Sequence, residues 1–332
     1  MCMATGIVSI AARQLGLATL ARALFGLNVA VYGLLWLLYA ARLIRYPRRF
    51  AGDLIDHLRG PGFFTTVAAS RILGSQFLLL AGSVRGALAL WLLAIALWLG
   101  RTYAVFAAFT VKTIKPPLDH GINGGWLLAV VATQSIALLS ALLAAHADQP
   151  HRLELNFFAL SMSLWSGMFY IWMIALIFYR YTFFPFRPRD LTPPYWINMG
   201  AMAISTLAGS QLGLNAADAP FLHALRPFID GFTIFYWATV TWWIPMLLVL
   251  GVWHCVCRRR PLRYDPLFWG AVFPLGMYAA STFEMARALG LGFLDPLPKV
   301  FFGLALLAWT AAFVGVLRAL VALAAGRTPR LP

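Results

Sequence analysis

The chain has 332 residues, 61% of them hydrophobic and 11% charged, with mean hydropathy +0.78 and a formal net charge of +15. Soluble domains carry about 25% charged residues, so this balance excludes a globular cytosolic enzyme. No stretch is polar enough to form an appended soluble domain, and residues 1–332 read as a single polytopic membrane domain.

A membrane-crossing helix takes about 20 apolar residues. In chain order, ten candidate spans lie at roughly 1–12, 19–41, 61–82, 86–111, 124–146, 155–179, 195–214, 228–254, 266–288 and 299–323. The first is too short to cross and reads as the end of a helix whose start lies upstream of Met1. A cleaved leader is the alternative, but Met1–Ala11 lacks a basic leading region and a small-residue cleavage site.

Five spans open alike, four with a helix-breaking or small polar residue followed by aromatics (Pro61–Phe64, Asn123–Trp126, Pro193–Trp196 and Asp265–Trp269) and one in truncated form, Met1–Gly6. The steps from Phe64 to Trp126 to Trp196 to Trp269 are 62, 70 and 73 residues. Near-regular recurrence marks a repeated supersecondary unit. Here the unit is a pair of apolar helices, so the repeat predicts a ring of hairpins around a central axis.

The two members of each pair differ in texture. Even-numbered spans are bulky and plain, as in Val31–Tyr39, Trp91–Trp98 and Met246–Leu250. Odd-numbered spans carry small and hydroxyl residues: Gly6 and Ser9, Ser70 and Gly74, Thr133 and Gln134, Gly200 and Ser205, Gly276 and Ser281. Small residues let membrane helices approach closely, and hydroxyls either bond across helices or face water. The alternation predicts an inner ring of odd spans inside an outer ring of even ones.

The positive charge is asymmetric. Of 26 Lys and Arg, 14 lie in the four connections after even-numbered spans: Arg42, Arg45, Arg48, Arg49, Arg59, Lys112, Lys115, Arg180, Arg187, Arg189, Arg258, Arg259, Arg260 and Arg263. Seven lie at the opposite face (Arg13, Arg22, Arg85, Arg152, Arg226, Arg287 and Lys299), and the tail adds Arg327 and Arg330. This pattern puts both termini in the cytoplasm of a multi-pass cell-membrane protein. The charge orients the chain and suits anionic lipid headgroups rather than nucleic acid. Ala51–Arg59 reads as an amphipathic turn on the membrane surface. Its Asp53 and Asp56 have no second acidic cluster with which to clamp a magnesium diphosphate, which weakens an intramembrane enzyme reading. Cys2, Cys255 and Cys257 show no metal or disulfide pattern, the six histidines lie at span ends or in loops, and no cofactor motif is present.

Met3–Ser9, Gly60–Thr65 with Gly74–Gln76, Pro193–Gly200 and Phe268–Pro274 together resemble the tellurite-resistance/dicarboxylate transporter (TDT) family. That group includes bacterial TehA-like proteins, fungal malate and sulfite transporters, and slow-type anion channels of plant guard cells. The resemblance implies an all-α integral membrane fold of ten helices, arranged as five hairpins in a quasi-five-fold ring with the odd helices lining a pore. It also implies small inorganic or organic anions as substrates, a homotrimer whose protomers each conduct, and an aromatic plug in the ninth helix, which falls on Phe273. Two features depart from the family pattern: the beginning of the first helix is absent, and Arg71 stands where an uncharged residue is expected.

Phe273 precedes Pro274, whose missing N–H leaves the Gly270 carbonyl without its helical partner. A bend there would either press the ring into a narrow axis, as a gate that excludes water, or leave it an ordinary core aromatic. Arg71 lies about ten residues into the third span, where an unpaired charge costs at least roughly 2.5 kcal/mol. It either faces the pore or pairs with Glu284 or Asp230. Arg101 has the same choice, with structural pairing favoured by its place on an even span. Glu284 and Arg287 have the spacing of a helical ion pair. A pore-facing Glu284 would instead suit a proton-coupled carrier of a C4-dicarboxylate such as malate, with a sulfite exporter as another alternative. Gly6, Ser9, Gln134, Asn198, Ser205 and Gln211 complete the candidate pore-lining set.

Overall fold

The computed structural model describes residues 1–146, 150–258 and 264–325. Arg259, Arg260, Arg263, Arg327 and Arg330 lie outside the described residues, as do the side chains of Arg189, Cys257 and Arg258. The described residues form helices and connecting turns with no strand among them. Ten helices have 13 residues or more: α1 (Cys2–Gln14), α2 (Ala18–Arg45), α3 (Thr65–Ala81), α4 (Val84–Val111), α5 (Leu128–Ala144), α6 (Arg152–Phe183), α7 (Ile197–Asn215), α8 (Pro220–Arg258), α9 (Trp269–Leu289) and α10 (Pro296–Ala324).

The recurrent Pro/Gly-aromatic openings are a local device. Each folds as a 3-10 turn feeding directly into an odd helix, at Gly60–Phe64, Gly124–Leu127, Pro193–Trp196 and Pro266–Phe268. Proline suits a first turn, where its missing N–H costs nothing. Asn123 and Asp265 accept hydrogen bonds from the backbone N–H groups of Gly125 and Leu267, closing two of these turns. At the far ends of α3 and α9 the chain reverses through Gly82 (φ +63°) and Gly290 (φ +70°), a left-handed backbone that costs glycine little.

Seven of these helices, with their lead-in turns, are long and apolar enough to cross a membrane: α2, α3, α4, α5, α6, α8 and α10. The sequence expects ten spans; the other three helices, α1, α7 and α9, fall short of that length or hydropathy for a physical reason. α1 has 13 described residues, while α7 and α9 are diluted by Gly, Ser, Thr and Asn. Most of their residues are buried in protein, so lipid does not select their hydropathy. Burial differs between the textures most at the extremes, 89% of the most apolar stretch of α5 against 11% in α2, while α3 (56%) and α6 (50%) lie close together.

Packing follows one rule. Each odd helix packs on the even helix after it: α1 on α2, α3 on α4, α5 on α6, α7 on α8 and α9 on α10. The odd helices also pack on one another as α1–α3, α3–α5, α5–α7, α7–α9 and α9–α1. Glycines set several of these close approaches. A methyl built on Gly6, Gly74, Gly200 or Gly276 would stand 2.7, 2.8, 2.8 or 2.9 Å from Ile72, Leu139, Pro274 or Ile7, respectively.

Each even helix also bonds to the odd helix of the next pair. Tyr32 of α2 shares a hydrogen bond with Ser70 of α3 (2.7 Å), and Trp98 of α4 donates to Thr133 of α5 (2.8 Å). Tyr170 of α6 donates to the Asn198 carbonyl of α7 (3.2 Å), and Trp237 of α8 donates to Thr282 of α9 (3.0 Å). Trp309 of α10 returns to Thr5 of α1 (2.9 Å). Interhelical bonds of this kind contribute about 0.6 kcal/mol each in membrane proteins. They also show where part of the odd-helix hydroxyl content goes: Thr5, Ser70, Thr133 and Thr282 hold outer helices in register.

Candidate functional site

Two cavities sit at opposite ends of the odd helices, and all five odd helices contribute to both. The first, about 860 Å³, is lined at the starts of these helices by Ala4, Thr65, Leu128, Ile197 and Phe273, with Tyr32, Trp36 and Tyr39 of α2 along one wall. The second, about 400 Å³, is lined toward their other ends by Ile10, Leu138, Gln211 and Glu284, and by Arg71 near the middle of α3. On α5 and α7 the two linings lie ten residues apart, Leu128 to Leu138 and Ile197 to Leu207, or ~15 Å at 1.5 Å rise per residue. Ile7, Val131, Gln134, Ile204, Met277 and Ala280 fall between them and are buried.

Phe273 stands at the inner limit of the first cavity and is 4% exposed. Gly270, one turn earlier, lines the same space. Its carbonyl lacks the usual i+4 donor because Pro274 has no N–H. Helix α9 continues through Pro274, which packs into the α7 surface at Gly200.

Charges at the first cavity are matched within the protein. Asp53, on a short helix at Pro47–Leu54, accepts from Arg42 and from Arg59, the latter at 2.7 Å. Asp56 accepts instead from the Leu58 and Arg59 backbone N–H groups. Arg101 of α4 donates to Thr66 (2.9 Å) and Tyr39 (2.8 Å) and lies over the Tyr39 ring at 5.6 Å. Its role is thereby structural.

The second cavity differs. Arg71 is 2% exposed and makes no hydrogen bond or ion pair among the described residues, and its Nε is fully buried without an acceptor. Neither carboxylate offered by the sequence takes it. Glu284 pairs with Arg287 at 2.7 Å and accepts from Gln14 at 2.9 Å, while Asp230 pairs with Arg226 at 3.4 Å. Of the alternatives the sequence leaves open for Arg71, an ion pair with either acid is not formed among the described residues: each acid pairs with an arginine on its own helix. One turn beyond Arg71, Ser75 lines the same cavity, and its buried Oγ has no partner either. Ser75 is not among the pore-lining candidates taken from the sequence, where it stands only within the Gly74–Gln76 motif. Its i+4 relation to Arg71 was the available signal.

Of the ten candidate residues, Phe273 lines the first cavity and Arg71, Gln211 and Glu284 the second. The other six line neither. Gly6 abuts Ile72, and Pro274 abuts Gly200. Ser9 donates to the Ala21 carbonyl of α2 (2.7 Å), and Gln134 donates to Ser163 of α6 (2.8 Å). Asn198 donates to Tyr181 of α6 (3.3 Å), while Ser205 turns back onto the Ala201 carbonyl (3.0 Å). Outer helices therefore take up polar groups that a linear reading assigns to a lumen. Gln211 donates to Asn215, which in turn bonds Asn156 and the Ala141 carbonyl in a buried polar network at the second end.

The model of one protein family, described as voltage-dependent anion channel (SLAC1), matches residues 1–317. An uncharacterized membrane protein of Mycobacterium tuberculosis is 38% identical over 153 residues, covering 46% of this chain and 77% of the relative. An uncharacterized transporter of Methanocaldococcus jannaschii is 27% identical over 82% of this chain and 77% of its own length. A sulfite efflux pump of Trichophyton rubrum is 24% identical over 94% of this chain and 86% of its own length. With a match over nearly the whole chain, apolar helices of membrane-crossing length and membrane proteins among its relatives, this chain is a membrane protein of the voltage-dependent anion channel family.

Proposed function

We propose that the chain is an anion channel or transporter in which ten helices form five hairpins, arranged in a quasi-five-fold ring around one path per protomer. The observation that carries the reading is the pair of cavities, each lined by all five odd helices and separated by buried side chains. In this reading Phe273 is the gate: an apolar ring at a narrow point excludes water and, with it, hydrated ions. Pro274 fixes the ring's position through its contact with Gly200. The positive-inside pattern assigns the first cavity and both termini to the cytoplasmic side. A homotrimer, with each protomer carrying its own path, is the assembly the family resemblance supports.

A coupled exporter is the second reading, favoured by the likeness to a sulfite efflux pump over most of the chain. A proton-coupled malate carrier is the other coupled alternative, with Glu284, which pairs with Arg287 at 2.7 Å, as the residue to test.

The test is anion current in planar bilayers for purified wild type and Phe273→Ala under chloride, nitrate and malate gradients. A small wild-type current that rises in the mutant supports the gated path. No anion current in either, with folded protein, removes the channel reading and moves the test to coupled uptake.

A further inference from the structure

We infer that Arg71 and Ser75 form an oxyanion-binding site in the second cavity, which makes this path select small oxyanions over halides. The inference rests on the proposed path, since it treats the second cavity as one end of it.

Three observations converge. Arg71 is only 2% exposed, yet no acceptor among the described residues meets it, and Glu284, the acid that lines the same cavity, is held by Arg287. A buried cation without a partner is strongly disfavoured unless water or an anion meets it. Ser75 is the second free donor. Six of the fourteen Ser and Thr residues on the odd helices (Ser70, Thr133, Ser140, Ser205, Thr206 and Ser210) return to a carbonyl four residues back. Ser75 and Ser135 are instead buried without a partner among the described residues, and of these two only Ser75 lines this cavity. It stands on the face of α3 that Arg71 shares. Third, the charged side chains lining this cavity are Arg13, Arg71, Arg287 and Glu284, three cations against one anion.

The chemistry of the donors defines the ligand class. A guanidinium presents parallel N–H groups that match two oxygens of one anion, and a serine O–H adds a third directional donor. Carboxylate, nitrate and sulfite offer paired oxygens. A halide offers a sphere and uses the charge but not the fork. A lysine at position 71 would keep the charge and lose the fork, which separates the two contributions.

The experiment compares wild type, Arg71→Gln and Arg71→Lys in detergent, measuring thermal stabilisation by sodium nitrate, acetate and sulfite against sodium chloride at equal ionic strength. Wild type is expected to bind the oxyanions at least about tenfold more tightly than either variant does. Arg71→Lys should retain chloride binding. Permeability ratios on a Phe273→Ala background give the second readout, with nitrate over chloride falling in Arg71→Lys. Equal stabilisation by chloride and oxyanions in wild type overturns the inference, as does an oxyanion response that both variants retain. If Arg71→Gln does not fold, Arg71→Lys alone decides between these outcomes. An Arg71-dependent oxyanion shift without current in any variant would keep the site and reject the channel. Current with unchanged ratios and shifts would do the reverse.

Discussion

The two ends of the odd helices solve the same electrostatic problem in different ways. At the first cavity, Asp53 matches Arg42 and Arg59, while Arg101 lies against Thr66, Tyr39 and the Phe63 ring, so each of these cations is answered by a neighbouring side chain. At the second, Glu284 is held by Arg287 on its own helix, and Arg71 has no partner among the described residues. The inner limit of the first is an aromatic ring; the second is lined by a guanidinium, a hydroxyl and an amide. The difference teaches that net charge is a poor guide to where an anion goes. What matters is which cation the fold leaves unanswered.

The comparison can be broken most completely by joining the two cavities. Phe273→Ala removes the ring at the inner limit of the first, and anion current is expected to rise at least ~10-fold, equivalent to lowering the barrier by about 1.4 kcal/mol. Next in size is Gly200→Val. A methyl already stands 2.8 Å from Pro274 there, so overpacking should cost about 1–3 kcal/mol, read as a lower thermal midpoint in detergent. Asp53→Asn makes the first end resemble the second by freeing Arg42 and Arg59. Stability should fall by about 1 kcal/mol or less, because both arginines are well exposed. Anion entry from that end should rise at low salt and lose the gain near 1 M, where the Debye length is ~3 Å.

The smallest effect is at His57, stacked on Phe109 at 4.2 Å in the connection that follows the short helix. Burial, and then Lys112, hold its imidazole below the ordinary value near 6.5. The folded state therefore binds fewer protons there than the unfolded chain does. Stability from this group is complete above pH 6.5 and declines as pH falls through that value. His57→Gln should flatten this part of the pH profile, measured as thermal midpoints from pH 8 to pH 5. An unchanged slope would assign the pH response to other groups.

Much of this was legible in the linear chain. The Pro/Gly-aromatic openings at near-regular spacing located four odd-helix starts, because a 3-10 turn before a helix is a local event set by neighbouring residues. The contrast between Leu/Trp-rich and Gly/Ser/Thr-rich helices separated the most exposed from the most buried elements, because lipid and protein select different surfaces. What could not be read was direction around each helix. Ser9, Gln134 and Asn198 sit on odd helices with the composition expected of a lumen, yet each bonds to an even helix. A rotation of about 100° per residue decides between lumen and neighbour, and composition carries no such angle.

The sequence by itself determined that this is a helical membrane protein, where its helices begin, which are plain and which are small-polar, and that Arg71 is anomalous in an apolar run. Those properties follow from local backbone preference and transfer energy, which are fixed residue by residue. Only the tertiary structure decided that Gln14 donates to Glu284, that Thr5 and Thr282 hold tryptophans of other helices, and that Arg71 and Ser75 share one cavity without partners among the described residues. Those facts depend on distances between residues up to 304 positions apart. Such distances exist only once the helices have packed.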